Sequence, residues 1–441
     1  MFTLIAIIFV LGYLMIAFEH SLKIDKAASA LLTAVFTWTA LALTPVTGES
    51  SIHELRHHLG EIAEILFFLL GAMTIVELVD AHDGFKIITE RISAQKKTSL
   101  LWVLSILTFF LSAILDNLTT TIVMIALVRK LVGDPKERWF YVGMVVIAAN
   151  AGGAWSPIGD VTTTMLWIGN QITSLGIMGE LFIPSMVCLL VPLIYLSFML
   201  KGNAVRPNNY QSKAHQHQTS AFERNMVFAL GVGALVFVPV FKTITHLPPY
   251  MGILLGVGVL WVATAFLHHG KHDDAKQAFS VGAVLQRIDT PSILFFLGIL
   301  LAVSSLATGG HLTEVAGILK AQLGNIYAIN VAIGLLSSVI DNVPLVAGAM
   351  KMYPLVSAEQ LAAVPLDQAA WVGSFVQDGN FWELLAYCAG TGGSCLIIGS
   401  AAGVAAMGME KIPFFWYLKN ISLLALLGYF AGVGVYIVLA A

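Results

Sequence analysis

The amino-acid sequence predicts an all-α polytopic membrane protein built from two inverted repeats, each with a re-entrant helical hairpin and a broken transmembrane helix. Three observations lead there: the composition, the apolar stretches interrupted by polar residues at mid-membrane depth, and the return of the same landmarks in both halves. Of the 441 residues, 58% are hydrophobic and 11% are charged, whereas a soluble domain carries about 25% charged residues. A soluble enzyme, a disordered chain and a disulfide scaffold are excluded. Cys188, Cys388 and Cys395 all lie in apolar surroundings and read as free, packed thiols. A net charge of -3 leaves no basic excess, so no nucleic acid is implied as partner. The expected partner is the lipid bilayer.

Spanning helices need roughly 20 mostly apolar residues. Candidates lie at 2–18, 27–46, 62–80, 180–200, 222–241, 250–267, 290–308 and 414–440. The first of these lacks a basic flank and reads as a retained helix rather than a cleaved signal. Three further apolar regions, 99–132, 139–175 and 326–408, carry glycines or polar residues where the middle of the membrane should be. Residues 81–97 and 309–323 pattern as interfacial amphipathic helices.

This divides the chain into an N-terminal repeat with scaffold helices over 1–200, holding a hairpin at 99–132 and a broken helix at 139–175. A polar cytoplasmic linker follows over 201–222. The C-terminal repeat covers 223–441, with a hairpin at 326–356, a broken helix at about 380–408 and a last helix at 414–440. Orientation comes from Lys and Arg, which collect on the cytoplasmic side. With the N-terminus outside and both hairpins re-entrant, 19 of the 23 basic residues fall in cytoplasmic loops, Lys26 among them; Arg56, Lys242, Lys320 and Lys351 fall outside. The first hairpin then opens inward and the second outward.

The repeat is legible directly. Residues 111–119, LSAILDNLT, match 336–344, LSSVIDNVP, at four of nine positions. Residues 148–160, AANAGGAWSPIGD, match 388–400, CAGTGGSCLIIGS, at five of thirteen, and LFFL occurs at 66–69 and at 294–297. The same landmarks in the same order point to duplication, and inverted duplication is common in secondary transporters.

The chemistry sits at those landmarks. Asp116 and Asn117 divide two apolar arms, and Asp341 and Asn342 repeat the arrangement. An ionisable group at such depth is costly unless paired, neutralised or wetted, which makes it a functional candidate. Capping of the second arm is the plain alternative. The glycine-rich break from Asn150 to Thr164 holds Asp160, Thr162 and Thr163, and unwound backbone at this depth must line a cavity or be buried in protein. Asp160 also reads as a cap for the half-helix that follows. Hard-oxygen donors of this kind suit alkali cations. The expected cation and proton site comprises Asp116, Asn117, Asn150, Asp160, Thr162 and Thr163 from the first half, and Ser337, Asp341, Asn342, Thr391 and Ser394 from the second. Na+ is expected at Asp116, Asn117, Asn150 and Asp160. Ser400 occupies the position of Asp160 in the second half, so the first half is the richer cation site. Neither tip nor break contains Lys or Arg, so nothing in those segments would neutralise an anionic substrate. A carboxylate that holds either a cation or a proton is a minimal exchanger, which needs no cofactor beyond the transported Na+ or Li+ and H+.

In LDNLTTT at 115–121, NAGGAWSPIGDVTTT at 150–164 and SSVIDNVP at 337–344, the chain resembles the NhaD-type sodium/proton antiporters of the ion transporter superfamily. The resemblance spans most of the chain. It implies a homodimer formed through scaffold helices, an elevator-like movement of the transport domain and a place in the bacterial cytoplasmic membrane. It also draws attention to Glu61, Glu64 and Glu77 at the ends of the third helix, for which interfacial anchoring is the competing reading. Related divalent-anion symporters carry Ser-Asn-Thr at their tips, where this chain has Asp.

The main rival is a sodium-coupled carboxylate or anion symporter on the same architecture. Paired membrane aspartates also serve aspartyl proteases, but Asp116 and Asp341 belong to different tips and no GxGD motif occurs, so no enzyme is expected. His215, His217, His268, His269 and His272 read as solvated loop residues rather than pH sensors.

Overall fold

The computed structural model describes residues 2–17, 19–43, 48–89, 92, 94–205, 219–269, 279 and 281–440. Its described residues form helices and connecting turns, with a single isolated bridge between Lys96 and Asn203 in place of strands. The principal helices are α1 Phe2–Ala17, α2 Lys26–Ala42, α3 Gly48–Ala81, α4 Lys97–Leu115, α5 Asn117–Leu131, α6 Pro135–Ala154, α7 Val161–Ile168 and α8 Ser174–Met199. The later ones are α9 Ala221–Thr245, α10 Pro249–Leu267, α11 Thr290–Thr308, α12 His311–Leu323, α13 Ile326–Leu336, α14 Asn342–Met352, α15 Asn380–Gly392, α16 Ala401–Glu410 and α17 Leu423–Ala440.

Local chemistry sets many of these boundaries. Asp25 accepts from the Ala27 amide to start α2, and Asp134 accepts from Lys136 with Pro135 at the first helical position of α6, both satisfying amides that have no partner within the helix. Ser220 and Glu223 form a reciprocal capping box at the start of α9, as that residue pair does. Among the described residues seven helices are long and apolar enough to cross a membrane, or eight if α12 and α13, bent by 115°, count as one span. The protein is thus a polytopic helical membrane protein.

Two packed groups emerge. Helices α1, α2, α3, α9, α10 and α11 associate with one another, with α2 lying along α11. Helices α4–α8 and α13–α17 make the other, centred on α4 against α6, α13 against α15, and α8 against α17. The three cysteines are free and buried, as expected from their apolar settings.

Several expectations change. The third helix begins at Gly48 and runs for 34 residues, roughly 51 Å at about 1.5 Å per residue, against a hydrocarbon core of about 30 Å. Glu61 and Glu64 are therefore well inside the helix rather than at its end. The described residues of 81–97 do not form a continuous amphipathic helix; between the end of α3 and the start of α4, Lys86–Thr89 is the helical piece among them. Gly84 and the turn around Asp83, which has φ 59°, break the pattern first. Helix α12 occupies 311–323 as expected. The last helix is divided, with Phe414–Tyr417 leading into a π-helical turn at Leu418–Ser422 before α17. His215, His217 and His272 lie outside the described residues. His268 is not solvated: it is 3% exposed and stacks on His82 with ring centroids 5.2 Å apart.

Candidate ion-binding site

The polar tips and breaks meet in the interior. A single residue, Asp116, separates α4 from α5, with φ 81° and ψ 159°. That conformation is nearly confined to glycine and costs on the order of 1–3 kcal/mol for other residues, so the tip is held by its surroundings. The Asp116 carboxylate folds back onto its own helix: Oδ1 accepts from the Thr119 amide at 2.8 Å and Oδ2 from the Thr119 hydroxyl at 2.7 Å.

Asn117 points the other way. Its amide nitrogen donates to Asp160 Oδ2 at 2.5 Å and to Asn150 Oδ1 at 3.0 Å. Asp160 lies where the broken helix resumes, and its Oδ1 accepts from the Thr162 amide at 2.9 Å and hydroxyl at 2.7 Å. From the second half, Asn342 Nδ2 approaches the same oxygen at 3.4 Å. Asn150 links the halves as well, donating to Ser394 Oγ and Ser400 Oγ, both at 2.9 Å. Asp160 is 1% exposed and Asn150 fully buried. The buried Asp160 carboxylate makes no ion pair among the described residues; its hydrogen-bond partners are amides and a hydroxyl. Such a group normally requires a positive charge or a proton.

The two halves repeat one another's scaffolding. Ser112 Oγ donates to Ala149 O at 2.6 Å, and Ser337 Oγ donates to Ala389 O at 2.7 Å. A Cβ on Gly152 would fall 2.2 Å from Phe109 O, and one on Gly392 would fall 2.0 Å from Gly334 O. The glycines in the breaks therefore allow α6 to touch α4, and α15 to touch α13, backbone against backbone.

Not every expected residue faces the site. Ser337 spends its hydroxyl on that backbone tie, Thr391 donates to Tyr387 O at 2.6 Å, and Thr163 donates to Asp160 O at 2.9 Å. Asp341 caps α14 by accepting from the Val343 amide at 3.1 Å, and its other oxygen lies 3.8 Å from Lys26 Nζ. Neither tip nor break contains Lys or Arg, but Lys26 begins α2, and the packing of α2 brings it to Asp341 from outside those segments. Nothing in the spacing announced Lys26, because it adjoins an apolar span at the position of an ordinary loop lysine. Ser400 was legible as the counterpart of Asp160, but not as a partner of Asn150.

Glu61, Glu64 and Glu77 do not line the central pocket, although Glu77 shares the neighbouring cavity with Asp341. Glu61 Oε2 is 2.7 Å from Lys351 Nζ and 3.1 Å from His58 Nδ1, while Glu77 Oε1 is 3.8 Å from Arg287. A pocket reaching Asp116, Asn117, Asp160, Asp341 and Asn342 adjoins a cavity of about 550 Å³, with Lys26, Thr119, Ser292 and Asp341 common to both. The cavity wall holds Glu19, Glu77, Asp80, Asp289 and Asp341 against two cations, Lys26 and Arg287. A second cavity of about 620 Å³, lined by His57, Glu61, Glu64 and Lys351 among others, shares no lining residue with the central pocket.

A polytopic helical bundle with interrupted helices meeting at the buried Asp160 has the form of a membrane transporter. The chain belongs to the citrate transporter (CitMHS) family, whose model matches residues 5–375, and within it to the NhaD-type antiporters. It is 51% identical over 432 residues to sodium/proton antiporter 1 of Arabidopsis thaliana, covering 98% of this chain and 71% of that protein. It is 46% identical over 436 residues to sodium/proton antiporter 2 of the same plant, covering 98% of each. It is also 31% identical over 462 residues to the Na(+)/H(+) antiporter NhaD of Vibrio cholerae, covering 98% of this chain and 91% of that protein.

Proposed function

We propose that this chain exchanges Na+ or Li+ for H+ by alternating access, with Asp116 and Asp160 as the main cation and proton carriers and Asp341 serving the second half. The observation that carries this reading is the Asp160 carboxylate, buried among amides and a hydroxyl and making no ion pair among the described residues. Asn117, Asn150, Thr162 and the remaining polar groups of the breaks orient it. A Na+ ion or a proton neutralises that carboxylate equally well, and occupancy by one excludes the other. The names of the relatives point the same way.

The acid-rich wall of the larger connected cavity favours a cation over an anionic cargo, because five carboxylates outnumber two cations there. That weighs against a sodium-coupled carboxylate or anion symporter, even though the family takes its description from citrate transport. The relatives are transporters, and no catalytic role is proposed. The one-sided connection of the central pocket supports alternating access. The duplicated serine ties and glycine contacts support inverted repeats over 1–200 and 223–441, with α4–α5 and α13–α14 as re-entrant hairpins and 201–222 as a cytoplasmic linker. The bacterial NhaD relative supports a bacterial cytoplasmic membrane, the distribution of Lys and Arg supports an N-terminus outside, and the family resemblance supports a homodimer.

The test uses inside-out vesicles acidified by respiration and followed with a pH-sensitive dye. Alkalinisation on NaCl or LiCl, absent with choline chloride and from vesicles lacking the protein, is the expected result. No response to any cation would overturn the reading, and uptake of labelled dicarboxylates with Na+ would replace it with symport.

A further inference from the structure

The two hairpin tips begin with the same Asp-Asn pair but neutralise their aspartates differently. At the first tip, Thr119 supplies both an amide to one Asp116 oxygen and a hydroxyl to the other. The residue in register at the second tip is Pro344, which has neither an amide hydrogen nor a hydroxyl to give. Asp341 consequently caps its helix with Oδ1 alone, and Oδ2 is left to face Lys26 Nζ at 3.8 Å. The ammonium is fixed from its other side by the Phe295 ring, 4.5 Å from nitrogen to centroid, a favourable placement for a cation.

Lys26 and Phe295 sit on α2 and α11, which pack on each other in one helix group, while Asp341 belongs to the hairpin of the other group. The pair therefore bridges the two groups beside the central pocket. Its side chains are 28% and 21% exposed, so the charges are partly withdrawn from water and attract more strongly than a surface pair.

We infer that Lys26 is a tethered counter-cation for Asp341, occupying in this conformation the place that a transported cation would otherwise take at the second tip. It is a positioning residue, and the inference rests on the antiport reading above. In the first half the carboxylates Asp116 and Asp160 wait for a cargo ion; in the second, Ser400 replaces one carboxylate and Lys26 neutralises the other. The number of cargo ions bound per chain is then set by Lys26 as well as by the aspartates. Movement of one helix group past the other separates Lys26 from Asp341, so the pair also favours the conformation described here.

The experiment is equilibrium binding of 22Na+ to the purified full-length chain at about pH 8.5. Removing the ammonium leaves Asp341 open to a cargo cation, so Lys26→Gln binds about one more Na+ per chain than the unsubstituted protein, while Lys26→Arg does not. Lys26→Gln combined with Asp341→Asn returns to the original stoichiometry. A Lys26→Gln protein that binds the same number of Na+ ions per chain as the unsubstituted protein overturns the inference.

Thermal unfolding supplies a readout independent of Na+ binding. Asp341→Asn strands the ammonium, so adding Lys26→Gln to it raises the unfolding temperature; an unchanged or lower temperature overturns the pairing. Absence of proton-displaceable 22Na+ binding to the unsubstituted chain would instead count against antiport itself, and the unfolding comparison would still decide the pair.

Discussion

At the scale of single residues, the candidate site is a chain of short contacts running from Asn342 through Asp160 to Asn117 and Asn150. Asp160→Asn and Asp116→Asn are expected to abolish cation-induced alkalinisation in vesicles while the protein still reaches the membrane; retained exchange would remove that residue from the mechanism. Asn150 holds Asn117, Ser394 and Ser400 at once, so Asn150→Ala should raise the half-saturating Na+ by about tenfold, or about 1.4 kcal/mol. Competition of Na+ and H+ for one carboxylate has a definite sign. Half-saturating Na+ falls as pH rises, by about tenfold per pH unit for one proton displaced and about a hundredfold for two, until the site is fully ionised. A half-saturating Na+ concentration that stays constant from about pH 4 to about pH 9, across the range in which a protein carboxylate titrates, would show that the two ions do not compete.

Among the elements, the broken helices matter most, because they carry Asp160 and Ser400 to the pocket and leave both backbones close to their neighbours. Gly152 of α6 and Gly392 of α15 each leave no room for a Cβ against a neighbouring carbonyl. Backbone cannot retreat as a flexible side chain does, so Gly152→Ala and Gly392→Ala should each destabilise by about 1–3 kcal/mol and lower the unfolding temperature in detergent. These elements were well marked in the sequence. The Asp-Asn tips, the glycine breaks and Ser400 opposite Asp160 stand in register, and the structure assigns them to corresponding helices. The amphipathic reading of 81–97 failed where a turn around Asp83 interrupts it, since periodicity records which faces are apolar but not where the backbone leaves the helix. His268 was likewise misread, because a histidine beside a polar loop carries no local sign that His82 will stack on it.

For the whole molecule, the arrangement of cavities makes access a measurable property. The central pocket adjoins the cavity that contains Ser292 and shares no lining residue with the cavity that Gly60 borders. The native cysteines are buried, so introduced thiols report without their interference. A membrane-impermeant maleimide should label Ser292→Cys from the cytoplasmic face alone and Gly60→Cys from the outer face alone. Labelling in the reverse sense would invert the proposed orientation, and labelling of both from one side would contradict the separation of the two cavities.

The sequence by itself determined a great deal: the membrane class and the repeated landmarks, because composition, spacing and identity in register are local properties of the chain. Tertiary structure alone decided which polar groups are spent on holding helices together and which face the pocket. Ser337, Thr391 and Thr163 look like ligands in sequence, and each also donates its hydroxyl proton to a backbone carbonyl, leaving the oxygen lone pairs to accept. Lys26 looks like a loop charge, yet it stands against Asp341 across 315 positions of sequence. Pairing energy depends on distance and on exclusion of water, and both are set by how α2 packs on α11 and where the second hairpin ends, neither of which is written in any one segment.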